Sequence, residues 1–329
     1  MKLPSVTMAV PLLLFGGLVA VPFVANAMEQ PFWIAFFARI IIYAIAASAL
    51  NLALGYGGLV SFGHALFLGL GSYAVAMPAF HGIDSGLVHF IVCVGVCGVV
   101  ALAVGAVSLR TSGMGFIMIT LAFAQMGYFL FVSLKQYGGD DGLPIAGTSR
   151  LGPLNLGSSI HLYGIALTVL ALSIWWMAKV RIAPFGMALR GARQNTRRVN
   201  ALGVHARALQ LAAFAMSGVL CGVAGMLLAN LNAYASPSSM AWNVSGELIV
   251  MVVLGGMGSA FGPLLGALVF LGLEEILKGL TEHWMAIFGP MIVLIALSGR
   301  QGIMGLLMRL GPRSQRRPVS QVRTSKQGA

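Results

Sequence analysis

The stretch of residues 179–207 reads KVRIAPFGMALRGARQNTRRVNALGVHAR and holds seven Lys and Arg residues but no Asp or Glu. Strongly apolar segments flank it on both sides. Basic loops of this length stay on the cytoplasmic side of a membrane. The stretch therefore predicts a cytoplasmic loop between membrane spans, and it sets the topology of the whole chain. It is also the place where we expect a soluble partner to bind.

The composition indicates a membrane protein. Of the 329 residues, 58% are hydrophobic and 9% are charged, and the mean hydropathy is +0.91. A soluble domain of this size could not cover its surface with so few charges. The apolar runs are continuous rather than alternating, which favours an all-α polytopic membrane protein over a β-barrel. The net charge of +12 lies in loops and in the tail beside the spans, so we expect contact with membrane lipid and no nucleic-acid partner.

The basic stretch also predicts the number of membrane segments. A hydrocarbon core about 30 Å thick needs about 20 apolar residues per helix. Tracing spans backwards from the stretch leaves Arg110 and Lys2 in the cytoplasm and the acidic, glycine-rich loop 135–159 outside. The tail after the last span holds seven basic and no acidic residues, which favours the cytoplasm and requires one more crossing than the apolar runs suggest. The apolar run 244–280 is too long for one helix, and an interruption near Gly255–Gly258 would turn it into two segments and supply the extra crossing.

We therefore expect about ten membrane segments with both termini cytoplasmic. Their expected positions are about 8–25, 33–54, 59–79, 87–109, 114–134, 160–178, 208–230, 244–257 (short or broken), 261–280 and 283–299.

The domain organisation is simple. We assign residues 1–310 to one transmembrane domain and residues 311–329 to a basic, disordered cytoplasmic tail. The first 27 residues imitate a secretory signal, since Lys2 and an apolar run precede Ala25-Asn26-Ala27. Further spans follow at once, which favours an uncleaved first span, although cleavage stays open.

Ten packed membrane helices favour transport as the function, and the source of its energy can be argued from what the sequence lacks. No Gly-Lys-Ser/Thr sequence is present, so the chain does not bind ATP through a Walker A loop. Ion-coupled carriers usually hold an ionisable residue near the bilayer midplane, whereas the eight acidic residues here fall in predicted loops or near span ends. These patterns favour a permease driven by a separate ATPase. An ion-coupled carrier or channel stays as the alternative because of His64 and Glu247.

Part of the basic stretch predicts a short amphipathic helix. Pro184 suits its first turn, and Gly203 suits the position just past its end. Arg190, Arg193 and Arg197 line one face, and apolar side chains line another. Such a helix could fit a groove on an ATPase or rest on anionic lipid headgroups, and both interpretations stay open.

Three segments carry a resemblance to a known family. They are GYGGLVSFGH at 55–64, PFGMALRGAR at 184–193 and ELIVMVVLGGMGS at 247–259, in this order. Together they resemble the membrane permeases of branched-chain amino acid ABC importers, of the LivM type. The loop sequence GGDDGL at 138–143 is also similar to the family pattern.

The resemblance implies a permease subunit of the bacterial inner membrane that is not itself an enzyme. It implies as partners a second related permease, two cytosolic ATPases that use ATP, and a periplasmic amino-acid-binding protein. No cofactor or metal is expected on the chain itself. The implied substrate is a branched-chain or other hydrophobic amino acid, and the alternative within the class is urea or a short amide.

Residues 1–310 are then the permease domain, and 184–203 is the expected coupling helix toward the ATPases. The expected coupling residues are Pro184, Phe185, Gly186, Arg190, Arg193, Arg197 and Gly203.

Seven residues are candidates for the translocation path: Asn51, Ser61, His64, Glu247, Gly255, Gly256 and Gly258. Unwound glycine stretches expose backbone groups that a zwitterion can contact, and polar side chains can line a wet path. The alternatives are close helix packing for the glycines and interhelical hydrogen bonds for the polar residues. For Glu247 the alternative is capping the start of a helix.

Overall fold

The computed structural model describes residues 6–27, 30–145, 147–151, 154–298, 302–303 and 305, and most of this part is α-helical. Apolar segments form helices because a helix satisfies its own backbone hydrogen bonds in lipid. The helices are α1 (Val6–Ala27), α2 (Pro31–Asn51), α3 (His64–Phe80), α4 (Gly86–Ser108), α5 (Met114–Ser133), α6 (Ser159–Ile182), α7 (Pro184–Gln194), α8 (Thr196–Ala201), α9 (Ala206–Asn232), α10 (Trp242–Gly255), α11 (Gly262–Leu280) and α12 (Trp284–Ser298).

Five helices in the described ranges are long and apolar enough to cross a membrane, judged by length and composition. They are α2 with its extension to Tyr56, α4, α5, α6 and α9. Shorter apolar helices accompany them, among them α3 and α10. The prediction of an all-helical polytopic membrane protein is thus confirmed. The number of crossings and the side of each terminus stay predictions, and the expected tail at 311–329 lies outside the described residues.

Short strands close one end of the helical bundle. β1 (Leu143–Pro144) pairs with β4 (Tyr234–Ala235), and β2 (Arg150–Leu151) pairs with β3 (Leu154–Asn155), both antiparallel. The backbone amide of Ser149 donates to Oδ1 of Asn230 over 2.9 Å. The segment after α5, which includes the acidic GGDDGL loop, is therefore fixed against the end of α9.

Charge differs between the two ends of the bundle. The acidic residues Asp84, Asp140 and Asp141 lie at the end closed by the strands. The opposite end gathers the α2–α3 and α4–α5 connections, α7 and α8. Its described charged residues are all basic: Arg110, Lys179, Arg181, Arg190, Arg193, Arg197, Arg198 and Arg207. The distribution agrees with a cytoplasmic position of this basic end.

The predicted interruption near Gly255 is present. Helix α10 ends at Gly255 and α11 begins at Gly262. Gly256 and Gly258 adopt φ values of 113° and 78°, which L side chains rarely adopt. The two helices also approach closely, because a Cβ atom on Gly266 would collide with the carbonyl of Met251. The glycines of this region thus serve both the break and the packing.

The predicted span 59–79 is wrong at its start. Helix α3 begins only at His64, and no regular element occupies residues 57–63. Gly58 contributes to the irregular backbone with a φ of 70°. The preceding helix also runs further than predicted, since a π-helical turn over Leu52–Tyr56 extends α2. Such turns inside helices are rare and are frequent at functional sites.

The single helix predicted over 184–203 is also wrong, because Asn195 divides it into α7 and α8. Asn195 is extended, with φ −156° and ψ 97°, and its Oδ1 accepts a hydrogen bond from the Arg198 amide over 3.0 Å. Asparagine favours such capping positions over helix interiors because its side chain competes for backbone groups. Pro184 in the first turn of α7 and Gly203 just after α8 are as predicted.

Candidate functional site

Two irregular backbone segments and a surface helix meet at the basic end of the bundle. The irregular segments are the π-turn after α2 and the α10–α11 interruption, and the helix is α7. We call this meeting point the junction and define it by Asn51, Gly55, Arg193, Gly258 and Ser259. The junction joins the basic surface helix predicted to bind a partner to the interruption that holds predicted path residues.

Asn51 fixes the interruption to α2. Its Nδ2 donates to the carbonyl oxygen of Ser259 over 2.8 Å, and its Oδ1 accepts from the amide of Gly258 over 2.8 Å. The side chain is fully buried. These two bonds satisfy backbone groups that the interruption leaves without helical partners, which would otherwise be costly in a buried site. Asn51 therefore stabilises the broken conformation.

Gly55 allows this close approach. A Cβ atom at this position would collide with Oδ1 of Asn51 and would lie 2.7 Å from the Gly258 amide nitrogen. Residues with side chains are thus excluded from this point of the π-turn. The requirement is for space, because Gly55 itself has an ordinary negative φ.

Arg193 links α7 to the same point. Its Nη1 donates a hydrogen bond to the carbonyl oxygen of Gly55. The aliphatic part of the side chain lies against Gly58, where an added Cβ would come within 2.7 Å of Arg193 Cγ. A hydrogen bond from a charged donor is among the stronger ones in a protein. The guanidinium therefore ties the surface helix directly to the π-turn.

The other expected coupling residues take different places. The Nη2 of Arg190 donates to the carbonyl of Arg181 over 2.8 Å, which closes the corner between α6 and α7. Gly186 packs against the backbone of Val180 at the same corner, and Phe185 is half-buried against the core. Arg197 is exposed on α8. The sequence pattern grouped three arginines on one face, but only Arg193 reaches the junction.

His64 and Ser61 lie outside the junction. His64 is fully buried, its Nε2 lies 2.7 Å from Ser217 Oγ, and its ring packs edge-on against Phe67 and Phe214. Ser61 Oγ is also fully buried and accepts from the Gly63 amide over 3.1 Å. These contacts match the interhelical and local hydrogen bonds that were the alternative to a wet path. A path along either side chain stays a prediction.

Glu247 and two glycines complete the sequence-derived candidates. Glu247 lies in the second turn of α10, half-buried and far along the helix from the junction. Gly255 packs against the start of α11, where an added Cβ would collide with the Gly262 carbonyl. Gly256 begins the interruption and is approached closely by the backbone of Gly302. The structure therefore unites Asn51 and Gly258 of the predicted path residues with Arg193 of the predicted coupling residues.

Sequence reasoning missed the contacts that hold the junction together. The partners of Asn51 are more than 200 positions away in the chain, at Gly258 and Ser259. Such pairs leave no local spacing signal. The parity of the spans and the glycines predicted the interruption, but they gave no contact partner.

Apolar helices packed around α10, α11 and the interruption between them, with a basic surface helix bonded to the adjoining π-turn, are typical of a multi-pass membrane transport protein. The family model described as branched-chain amino acid transport system / permease component matches residues 32–296. The chain therefore belongs to this family of membrane permeases.

Three relatives illustrate the range of the similarity. The high-affinity branched-chain amino acid transport system permease protein LivM of Escherichia coli K12 is 27% identical over 292 residues, 80% of this chain and 68% of the relative. The autoinducer 2 import system permease protein LsrC of Escherichia coli O157:H7 is 25% identical over 60% of this chain and 59% of its own length. The fructose import permease protein FrcC of Rhizobium meliloti is 27% identical over 45% and 43%. No solved structure matches the chain.

Proposed function

We propose that this chain is the inner-membrane permease subunit of an ABC importer that moves branched-chain or other hydrophobic amino acids into the cytoplasm. Two cytosolic ATPases supply the energy, and a periplasmic binding protein delivers the substrate to a pair of related permeases. The extent of similarity favours this substrate class. The match to the amino-acid permease covers 80% of the chain, against 60% and 45% for the permeases named for autoinducer 2 and fructose.

The contact between Arg193 and the Gly55 carbonyl carries the proposal. Arg193 belongs to a helix with a buried apolar face, formed by Leu189 and Ala192, and an exposed basic face. A displacement of α7 would move the π-turn through this hydrogen bond. The two hydrogen bonds of Asn51 would then move the α10–α11 interruption with it. This chain of contacts gives a movement at the surface a direct mechanical connection to a broken membrane helix.

The structure separates two groups of arginines on this surface. Arg190 and Arg193 are engaged with backbone carbonyls of the chain itself. Arg197 and Arg198 of α8 are exposed, and neither side chain makes a hydrogen bond or ion pair with another described residue. We therefore assign the ATPase contact to α8 and the transmission of movement to Arg193.

Co-purification of the importer tests this assignment. The variant with Arg197→Glu and Arg198→Glu should lose most of the bound ATPase, because charge reversal opposes an acidic or polar partner surface. The matched control is Lys135→Glu, a basic residue at the opposite end of the bundle. Unchanged ATPase binding in the double variant would remove α8 from the contact and favour a role on lipid headgroups.

The alternatives predict different behaviour. A carrier coupled to protons or sodium would transport without any ATPase, and a permease for urea or short amides would bind the ATPases but import an uncharged substrate. Among the described acidic residues, Glu247, Glu274 and Glu275 lie within membrane helices, so they are the residues that an ion-coupled carrier would use.

A further inference from the structure

A group of polar and charged residues lies on three helices that pack against one another, away from the junction. It consists of the charged residues Arg39 on α2, Glu247 on α10, and Glu274 and Lys278 on α11, together with the neutral Tyr43 on α2, and we call it the charged patch. Arg39 is exposed although its neighbours Ala38 and Ile40 are completely buried. The guanidinium lies 5.8 Å from the centre of the Tyr43 ring.

These residues lie at similar depth in the bundle. At 1.5 Å per residue, Arg39 is about 12 Å from the start of α2, Glu247 about 8 Å from the start of α10, and Glu274 about 9 Å from the end of α11. These three helix ends lie on the side opposite to the junction, because the other ends meet there. Charges at this depth are costly in contact with lipid, so they usually face protein or water.

Only part of the patch is neutralised within the described residues. Lys278 Nζ and Glu274 Oε1 form an ion pair of 2.6 Å, the one such pair found there. Helices α2, α10 and α11 pack against one another, and the charges of Arg39, Glu274 and Lys278 act on the Glu247 carboxyl group. No nitrogen of Arg39 lies within 4.0 Å of a Glu247 oxygen, however. One cation and one anion thus lie near each other without direct contact.

We infer that Arg39 and Glu247 bind the two charged ends of a zwitterionic amino acid on its way through the membrane. This inference rests on the proposed function and extends it to the substrate-contacting residues. The guanidinium would donate paired N–H hydrogen bonds to the α-carboxylate, and the Glu247 carboxylate would accept hydrogen bonds from the α-ammonium. A zwitterion carries both charges on adjacent groups, so it can bridge two opposite charges that do not meet. Both charges of the substrate need partners of opposite charge, because an unpaired charge is costly in a low-dielectric region.

Charge-neutral variants test the assignment in the assembled importer with its ATPases and binding protein. Arg39→Gln and Glu247→Gln should each lower the initial rate of ATP-driven leucine uptake by about tenfold or more, because each removes a charged partner of the substrate. The amount of co-purified ATPase should stay as in the unmodified protein. The control Glu275→Gln, which removes a neighbouring carboxylate of α11, should change uptake by less than about twofold.

Labelling of an introduced cysteine tests the site while the charges of Arg39 and Glu247 stay in place. Tyr43→Cys places a thiol in the patch, and the native Cys93, Cys97 and Cys221 are fully buried and should react little. Leucine should slow the reaction of this thiol with a small charged thiol reagent by about threefold or more, and adding Arg39→Gln should abolish the protection. Trp33→Cys on the same helix should show no protection.

Three results would overturn the inference while the proposed function stands. One is unmodified leucine uptake in both charge-neutral variants. Another is a Tyr43→Cys thiol whose reaction rate is the same with and without leucine. A thiol that does not react in either condition would also overturn it, because a second permease would then cover the patch. Failure of the proposed function would look different, because the unmodified protein would then show no ATP-driven uptake. If Arg39→Gln does not assemble, Arg39→Lys and the labelling of Tyr43→Cys decide the question.

Discussion

At the scale of single residues, Asn51 is suited to the junction because its amide offers a donor and an acceptor side by side. The Ser259 carbonyl needs the donor and the Gly258 amide needs the acceptor, so the two partners fix the orientation of the side chain. Aspartate would lack the donor and leucine would lack both. The sequence places Asn51 within a predicted span, where it could line a path or form an interhelical hydrogen bond. The identity of its partners required the structure.

Gly55 gives the sharpest residue-scale prediction. Gly55→Ala should lower the thermal unfolding temperature of the purified permease and reduce transport, because the new methyl group collides with Asn51 and with the backbone of Gly258. Overpacking of this kind costs about 1–3 kcal/mol. The measurement is a thermal melt in detergent.

Gly164→Ala is the matched control, because nothing lies within 4 Å of an added Cβ at this position in α6. It should be neutral or slightly stabilising, since alanine favours helix more than glycine does. Equal melting temperatures for the two variants would show that the junction is looser than described.

At the scale of elements, the helix boundaries divide into those the sequence could predict and those it could not. The interruption between α10 and α11 followed from the parity of crossings and the glycines. The π-turn of Leu52–Tyr56 and the capping break at Asn195 did not. Both depend on contacts with distant segments, and a hydrophobic pattern carries no information about such contacts.

The connection between α7 and the π-turn can be tested apart from ATPase binding. Arg193→Gln should keep the ATPase bound but reduce substrate transported per ATP hydrolysed, because the charged hydrogen bond to Gly55 is lost. Gln194→Ala changes the neighbouring exposed residue and should leave this ratio unchanged. Loss of ATPase binding in Arg193→Gln would instead place this side chain in the docking surface.

At the scale of the whole molecule, the two ends of the bundle differ in charge, and this difference indicates which end faces the cytoplasm. The basic end holds α7 and α8, and the opposite end holds the acidic loop and the short strands. The sequence predicted this separation because parity needs only the positions of spans and charges. It could not predict the charged patch, which forms only when α2, α10 and α11 pack together.

Labelling of single cysteines in intact cells tests the orientation. Asp140→Cys should react with a membrane-impermeant thiol reagent from outside, and Gln194→Cys should react only after permeabilisation, since both positions are exposed at opposite ends. The reverse pattern would invert the topology and would place α7 and α8 out of reach of a cytosolic ATPase.

The most direct test of the central proposal is uptake into proteoliposomes. The permease is reconstituted with the ATPases and the second permease that co-purify with it, and the binding protein is supplied on the side of the acidic loop. We expect leucine uptake that requires ATP on the side of α7 and α8 and that continues when proton and sodium gradients are abolished. Uptake that needs such a gradient and proceeds without ATP or any bound ATPase would contradict the account.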